Sequence, residues 1–210
     1  MSGASAGPGS RARGRARREL LLTATIALVA ERGVAGVSHR AVAERAGVPL
    51  ASTTHYFTSL EEMVGEAVVH AVETELARLR AFRERLETDG LTPAAAVDGF
   101  VGLVREQSAE STAAQFEAYL SAPRSETLRR HVRGLLQETR DLARATLRAA
   151  GVHDPAAAAA VVALLDGAAL HRIADPAPDR SAELARSLRA LVLGFSVLAM
   201  TDAGVVQPSQ

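Results

Sequence analysis

The stretch GVPLASTTHYF, residues 47–57, gathers Ser52, Thr53, Thr54, Tyr56, an imidazole and a Pro in a chain otherwise dominated by Ala, Leu, Val and charge. Ser and Thr are weak helix formers, because their hydroxyls compete for backbone hydrogen bonds. They nevertheless follow directly on a helical pattern. Ser38 stands where an N-cap belongs, Ala41, Val42, Ala43, Arg45 and Ala46 follow it, and Gly47 supplies a stop. Pro49 sits at or near the first turn of a third, short helix, where a missing N–H costs nothing, and Tyr56-Phe57 ends it. Upstream, Leu20, Leu21, Ala24, Leu28 and Val29 recur at helical spacing from Arg17 until Gly33.

A supporting helix, a second helix, a tight Gly turn and a short third helix make the helix-turn-helix plan, in which the third helix enters the DNA major groove. On that plan Leu50, Ala51, Ser52, Thr54 and Tyr56 share the groove-facing surface. Hydroxyls there bond phosphates or base edges, and small apolar groups touch thymine methyls. Val48, Thr53 and Phe57 turn inward. The same spacing also occurs in plain helical bundles, with the hydroxyls serving only as caps.

Charge separates these readings. All 24 basic residues are Arg and the net charge is zero, but residues 1–57 carry eight Arg and three Glu, so 8 − 3 = +5. The remainder carries 24 − 8 = 16 basic and 24 − 3 = 21 acidic residues, a balance of −5. A cationic head on an anionic body points to a polyanion bound by the head alone. A basic tail without any partner is the plainer alternative.

Beyond the head, Ser59 and Glu62 have capping-box spacing and open a long helix toward Glu87, which Asp89-Gly90 breaks. Helices are expected over about 92–108, 111–120, 125–150, 155–173 and 181–201. Asp154-Pro155 is a cap followed by Pro at the first helical position. No segment alternates with period two, so the fold class is all-α. The expected organisation is a disordered basic tail (1–14), a helix-turn-helix domain (15–58), a ligand-binding and dimerisation domain (59–204) and a short tail (205–210).

The N-terminus has charge but no apolar segment of a secretory signal, and the longest apolar run, residues 190–200, is too short to span a bilayer. The expectation is a cytoplasmic protein without a membrane partner. The chain has no Cys, no H-E-x-x-H, no Gly-rich phosphate loop and no compact Ser, His and acid set, which argues against an enzyme. Its six His residues are scattered, so neither a metal site nor a cofactor is expected.

The segment VSHRAVAERAGVPLASTTHYFTSLEEMV, residues 37–64, resembles the DNA-binding domain of the TetR family of transcriptional regulators. Ser38, Val42, Ala43, Ala46, Gly47, Val48, Tyr56, Phe57 and Ser59 fit the family pattern over about residues 17–66. Thr54 replaces the family's usual Tyr and Leu60 its usual phosphate-binding Lys, a variant similar to a subgroup with VPLxSTTxYF. The resemblance implies DNA contacts from His39, Arg40, Leu50, Ala51, Ser52, Thr54 and Tyr56, with Arg11 to Arg18 along the backbone or in the minor groove. For His39 the alternative is a solvated helix-start imidazole.

The resemblance further implies a homodimer that binds a palindromic double-stranded DNA operator as a repressor and is released by a small-molecule effector. Candidates for the dimer face are Leu164, Gly167, Ala168, Leu188, Leu191 and Phe195. Candidates for the effector pocket are Phe100, Gln107, Phe116, Tyr119, His131 and His171. With 3% aromatic residues, a mainly aliphatic pocket and a small apolar or amphipathic effector are expected. A helical ligand-binding module that no longer binds DNA is the alternative, with Thr54 and Leu60 as its hints.

Overall fold

A computed structural model of the chain describes residues 8–89, 92–149, 151–176 and 179–202, and these form an all-α protein. The head consists of α1 (Pro8–Arg32), α2 (His39–Ala46) and α3 (Leu50–Tyr56). α4 (Leu60–Asp89) leads into α5 (Pro93–Glu106), α6 (Ala109–Ser121), α7 (Glu126–Ala149), α8 (Pro155–Ala174) and α9 (Ser181–Asp202).

α1 starts earlier than its apolar period. It takes in residues 8–14, assigned from sequence to a disordered tail; Pro8 suits a first helical turn and Arg11, Ala12 and Arg13 favour a helix, while Gly9, Ser10 and Gly14 do not. Residues 1–7 of that tail, and the expected tail at 205–210, lie outside the described residues.

Capping accounts for most helix boundaries. Ser38 Oγ accepts from the Ala41 N–H at 3.2 Å, Thr92 Oγ1 from Ala95 at 3.3 Å, and Asp154 Oδ1 from Ala156 at 2.7 Å. Ser108 Oγ accepts from the Ser111 N–H at 3.1 Å, so α6 begins at Ala109 rather than at the expected 111, and α5 stops at Glu106. At the start of α4, Ser59 Oγ accepts from the Glu62 N–H at 3.0 Å. The Glu62 carboxylate reaches back chiefly to Thr58, accepting from its N–H and hydroxyl at 2.5 and 2.6 Å. These bonds to Thr58 hold the Glu62 pKa below the usual carboxylate value.

Two cores share one helix. In the head, Leu21, Leu22, Leu28, Val42 and Phe57 are buried with Met63 and Ala67 from the first turns of α4. A second core gathers Val68 and Val72 of α4 with Leu135 and Leu142 of α7, Ala157, Ala158 and Val161 of α8, and Leu188 of α9. Burying one Leu or Phe is worth about 1.5–3 kcal/mol, so each core holds its end of α4 firmly. One rigid element therefore runs from the head into the body.

By length and composition α8 and α9 could each cross a membrane, although neither contains an uninterrupted apolar run of that length. Their apolar residues have other uses. Ala157, Ala158, Val161, Val162 and Leu165 of α8 are buried in the body core, as are Leu184, Ala185 and Leu188 of α9.

Candidate functional site

The turn between α2 and α3 positions the short helix. Gly47 has φ 65° and ψ 33°, a left-handed conformation that costs a residue with a Cβ about 1–2 kcal/mol. Its N–H donates to Glu44 O at 3.2 Å, and the Val48 N–H donates to Ala43 O at 3.0 Å. This pair of bonds is a Schellman motif, which closes α2 and reverses the chain into α3.

On α3 the hydroxyls divide. Thr53 is buried, its Oγ1 donating to Leu50 O at 2.8 Å, and Phe57 is buried behind it. Leu50, Ala51 and Thr54 are exposed, while Ser52 and Tyr56 are half-buried. Thr54 Oγ1 is engaged by Ala51 O at 3.3 Å, so it reaches a DNA group only by sharing or exchanging that bond. Val48 turns only partly inward.

The two cationic candidates on α2 differ. Arg40 is exposed and has no ion-pair partner among the described residues, whereas Arg45 pairs with Glu31 of α1 at 2.5 Å. His39 is half-buried, with a shielded Nδ1 that lacks a partner among the described residues. Only its Nε2 side is available outward. Arg13, Arg15 and Arg17 are exposed along α1, and Gly14 lies against Tyr56, since a Cβ there would stand 3.6 Å from the Tyr56 hydroxyl. The arginine-bearing turns of α1 thus border the end of α3.

The pocket candidates do not form one group. Phe100 and Gln107 line a cavity of about 40 Å³ between α4, α5, α6, α7 and α8. Gln107 Nε2 donates to Gln115 Oε1 at 2.9 Å, and Gln115 Nε2 donates to Tyr119 Oη at 3.0 Å, so Tyr119 belongs to the same network. Phe116 meets the Tyr119 ring edge-on at 5.6 Å. His131 lies elsewhere: its Nε2 is 3.3 Å from Glu73, and its Nδ1 is 2.8 Å from Thr127 O. His171 is exposed on a larger groove of about 640 Å³ between α5, α8 and α9.

The cavity is more polar than the expected aliphatic pocket, because Glu75, Arg78, Gln115 and Asp166 also line it. Sequence reasoning missed these four. Asp166 did leave a signal, as the lone acid in the apolar run AAAAAVVALLDGAAL, residues 156–170. Burial lifts its carboxyl to a pKa of about 6. Tyr119 is raised as well, first by burial and then by the nearby Asp166 carboxylate.

The cavity and the head are joined through the corner between α5 and α6. Arg172 Nη2 donates to Gln107 O at 2.5 Å and to Thr112 Oγ1 at 3.1 Å, fixing the first turn of α6. α6 packs against both α1 and α4.

Of the dimer candidates, Leu188 is 1% exposed inside the chain's own core and offers nothing to a second subunit. Leu164, Ala168, Leu191 and Phe195 are half-buried at the core's edge, and Gly167 is half-buried on the same side of α8. On these two helices the exposed large apolar residues are Leu170 on α8 with Leu193, Val197, Leu198 and Met200 on α9. α8 and α9 pack against each other. No group of three or more His, Asp or Glu among the described residues is placed to hold a metal ion.

These features define a helix-turn-helix DNA-binding protein with a helical second domain around a small cavity lined by both apolar and charged residues. The chain matches the family described as bacterial regulatory proteins, tetR family, over residues 21–67, and the tetracyclin repressor-like C-terminal domain over residues 91–194. A transcriptional regulator (RHA1_ro04179) from Rhodococcus sp. Rha1 is 29% identical with a TM-score of 0.68, over 91% of this chain and 99% of that one. A TetR family member (SCO1917) from Streptomyces coelicolor A3 is also 29% identical, with a TM-score of 0.64 over 83% and 97% of the two chains. The multidrug binding protein EbrR, in complex with ethidium, is 29% identical with a TM-score of 0.57 over 83% and 98%. No curated protein matches the sequence. The chain belongs to the TetR family of transcriptional regulators, with an N-terminal DNA-binding domain and a C-terminal ligand-binding domain.

Proposed function

We propose that this regulator is a cytoplasmic repressor that binds a palindromic operator as a homodimer and is released by a small-molecule effector. The observation that carries the reading is the surface of α3, with Leu50, Ala51 and Thr54 exposed, together with an exposed Arg40 on α2 that has no ion-pair partner among the described residues. A guanidinium in that position can pair bidentately with guanine or clamp a phosphate. Ser52, Tyr56 and the Nε2 side of His39 complete the contact set. Leu60 stands where a phosphate-binding Lys is usual, and Arg13, Arg15 and Arg17 supply cationic charge from α1 in its stead.

Dimerisation is supported by the open apolar face of α8 and α9, which a second copy would cover with Leu164, Gly167, Ala168, Leu191 and Phe195 at its margin. Two reading heads related by a dyad would contact half-sites about one helical turn or more apart. The cavity network and its link to α6 support release by an effector: a ligand that prefers another arrangement of the corner shifts the population of head positions. EbrR, with imidazole, proflavin or ethidium bound, supports a small organic molecule as the effector.

The test is selection of fragmented genomic DNA by the purified full chain at near-physiological salt, followed by sequencing. Enrichment of a palindromic site is the expected result. If a folded dimer enriches no sequence, the DNA-reading function is overturned in favour of a ligand-binding module.

A further inference from the structure

Asp166 is short of partners. Gln115 Nε2, at 3.4 Å, gives it the one hydrogen bond recorded for it among the described residues. The other charges lining the cavity cancel: Arg78 grips Glu75 through Nε at 2.9 Å and Nη2 at 2.8 Å, and Nη2 also donates to Leu103 O at 2.8 Å. Asp166 is left without a cation, on a helix whose neighbouring residues Leu165 and Ala169 are buried. Charges removed from water are costly unless paired, and burial raises this carboxyl pKa to about 6.

A second group in the same lining has the opposite need. Arg78 Nη1 is buried and has no acceptor among the described residues. The cavity therefore wants a donor with positive charge at Asp166 and a neutral oxygen acceptor at Arg78. It is small, about 40 Å³, and walled by Phe100, Leu103, Leu135 and Leu165.

We propose that this cavity binds a small amino alcohol as its ammonium ion, with the ammonium held by Asp166 and the hydroxyl oxygen accepting from Arg78. This assignment rests on the C-terminal domain being the effector domain. An anion meets the unneutralised Asp166 carboxylate, and a neutral diol leaves that carboxylate without a counter-charge. A ligand larger than the present cavity must spread its walls. Gln115 bonds Gln107 at the corner that Arg172 ties to α6, so that displacement reaches the helix packed on the head.

The test uses three molecules of nearly equal size: 2-aminoethanol, ethylene glycol and glycolate, each titrated into the full chain at pH 7.5 with thermal unfolding and calorimetry as readouts. The amino alcohol is expected to raise the melting temperature saturably, the other two to have no saturable effect, and Asp166→Asn to weaken amino alcohol binding at least tenfold while remaining folded. His131→Gln, outside this cavity, is expected to bind as the unaltered chain does. Equal responses to glycol and amino alcohol, undiminished binding by Asp166→Asn, or no saturable response to 2-aminoethanol would each overturn the assignment. None of these results touches the regulator reading, which the DNA selection decides by itself.

Discussion

The guanidinium of Arg18 on α1 ion-pairs with Glu66 on α4 and lies 5.6 Å from the centre of the Phe57 ring at the end of α3. One side chain of the supporting helix thus reaches both the residue that closes the reading helix and the element that enters the body. Both ends of the ion pair are more than a third exposed, so the pair itself is screened. Glu66→Gln is expected to cost about 0.5 kcal/mol or less, and Arg18→Ala about 1 kcal/mol, because the ring contact goes with the charge. Chemical denaturation of the two variants and of the double variant checks this. Equal losses from the single variants would assign the whole effect to the ion pair.

Gly47 and Gly134 predict opposite signs for the same substitution. A Cβ on either meets nothing within 4 Å, so crowding decides neither case. At Gly47 the backbone is left-handed, and Gly47→Ala is expected to destabilise by about 1–2 kcal/mol through backbone strain. Gly134 is exposed within α7, and Gly134→Ala is expected to stabilise by about 0.5–1 kcal/mol. Thermal unfolding of both variants measures the contrast. A neutral Gly47→Ala would mean that the turn relaxes without cost.

Much of the head was legible because its signals are local. Ser38, Gly47, Pro49 and the inward Thr53 and Phe57 each state a backbone or burial requirement within a few residues. The cavity was not legible in that way. Glu75, Gln107, Gln115 and Asp166 come from separate segments, and only tertiary packing places them together. His131 and His171 look like pocket residues by type, yet one is engaged by Glu73 and Thr127 and the other faces an outer groove. Leu188 fits an apolar stripe equally well as core or as interface, and only burial separates the two.

Arg40 and Arg45 share α2 but have different surroundings. Arg40→Ala removes an exposed guanidinium with no ion-pair partner among the described residues and is expected to weaken binding to a selected operator by about 1–3 kcal/mol, roughly tenfold to a hundredfold, with little change in melting temperature. Arg45→Ala breaks the pair with Glu31 and is expected to lower stability by less than about 1 kcal/mol, with a smaller effect on DNA. Fluorescence anisotropy at two salt concentrations distinguishes them, because loss of a phosphate contact also lowers the salt slope by about one. If Arg40→Ala binds as tightly as the unaltered chain, that residue leaves the contact set.

Asp166 gives the body a pH signature. Its folded pKa of about 6 lies above the ordinary value of 3.8, so the folded chain holds this proton more tightly than the unfolded chain does. Stability from this group is therefore greatest at the acid end and falls as pH rises from about 4 to about 6, staying low above that. Glu75 and the Arg78 that neutralises it face the same cavity, and Tyr119 shares the Gln115 amide. Asp166→Asn removes the titration while keeping the shape. The variant should match the unaltered chain near pH 4 and exceed it above pH 6 by on the order of 1 kcal/mol, a figure reduced because Asp166 is only partly buried. The measurement is the difference in denaturation midpoint between the two proteins across that range, since other carboxylates titrate equally in both. A difference that stays constant from pH 4 to pH 8 would mean that Asp166 is already solvated or paired, and the cavity would then have no unmet demand for a cation.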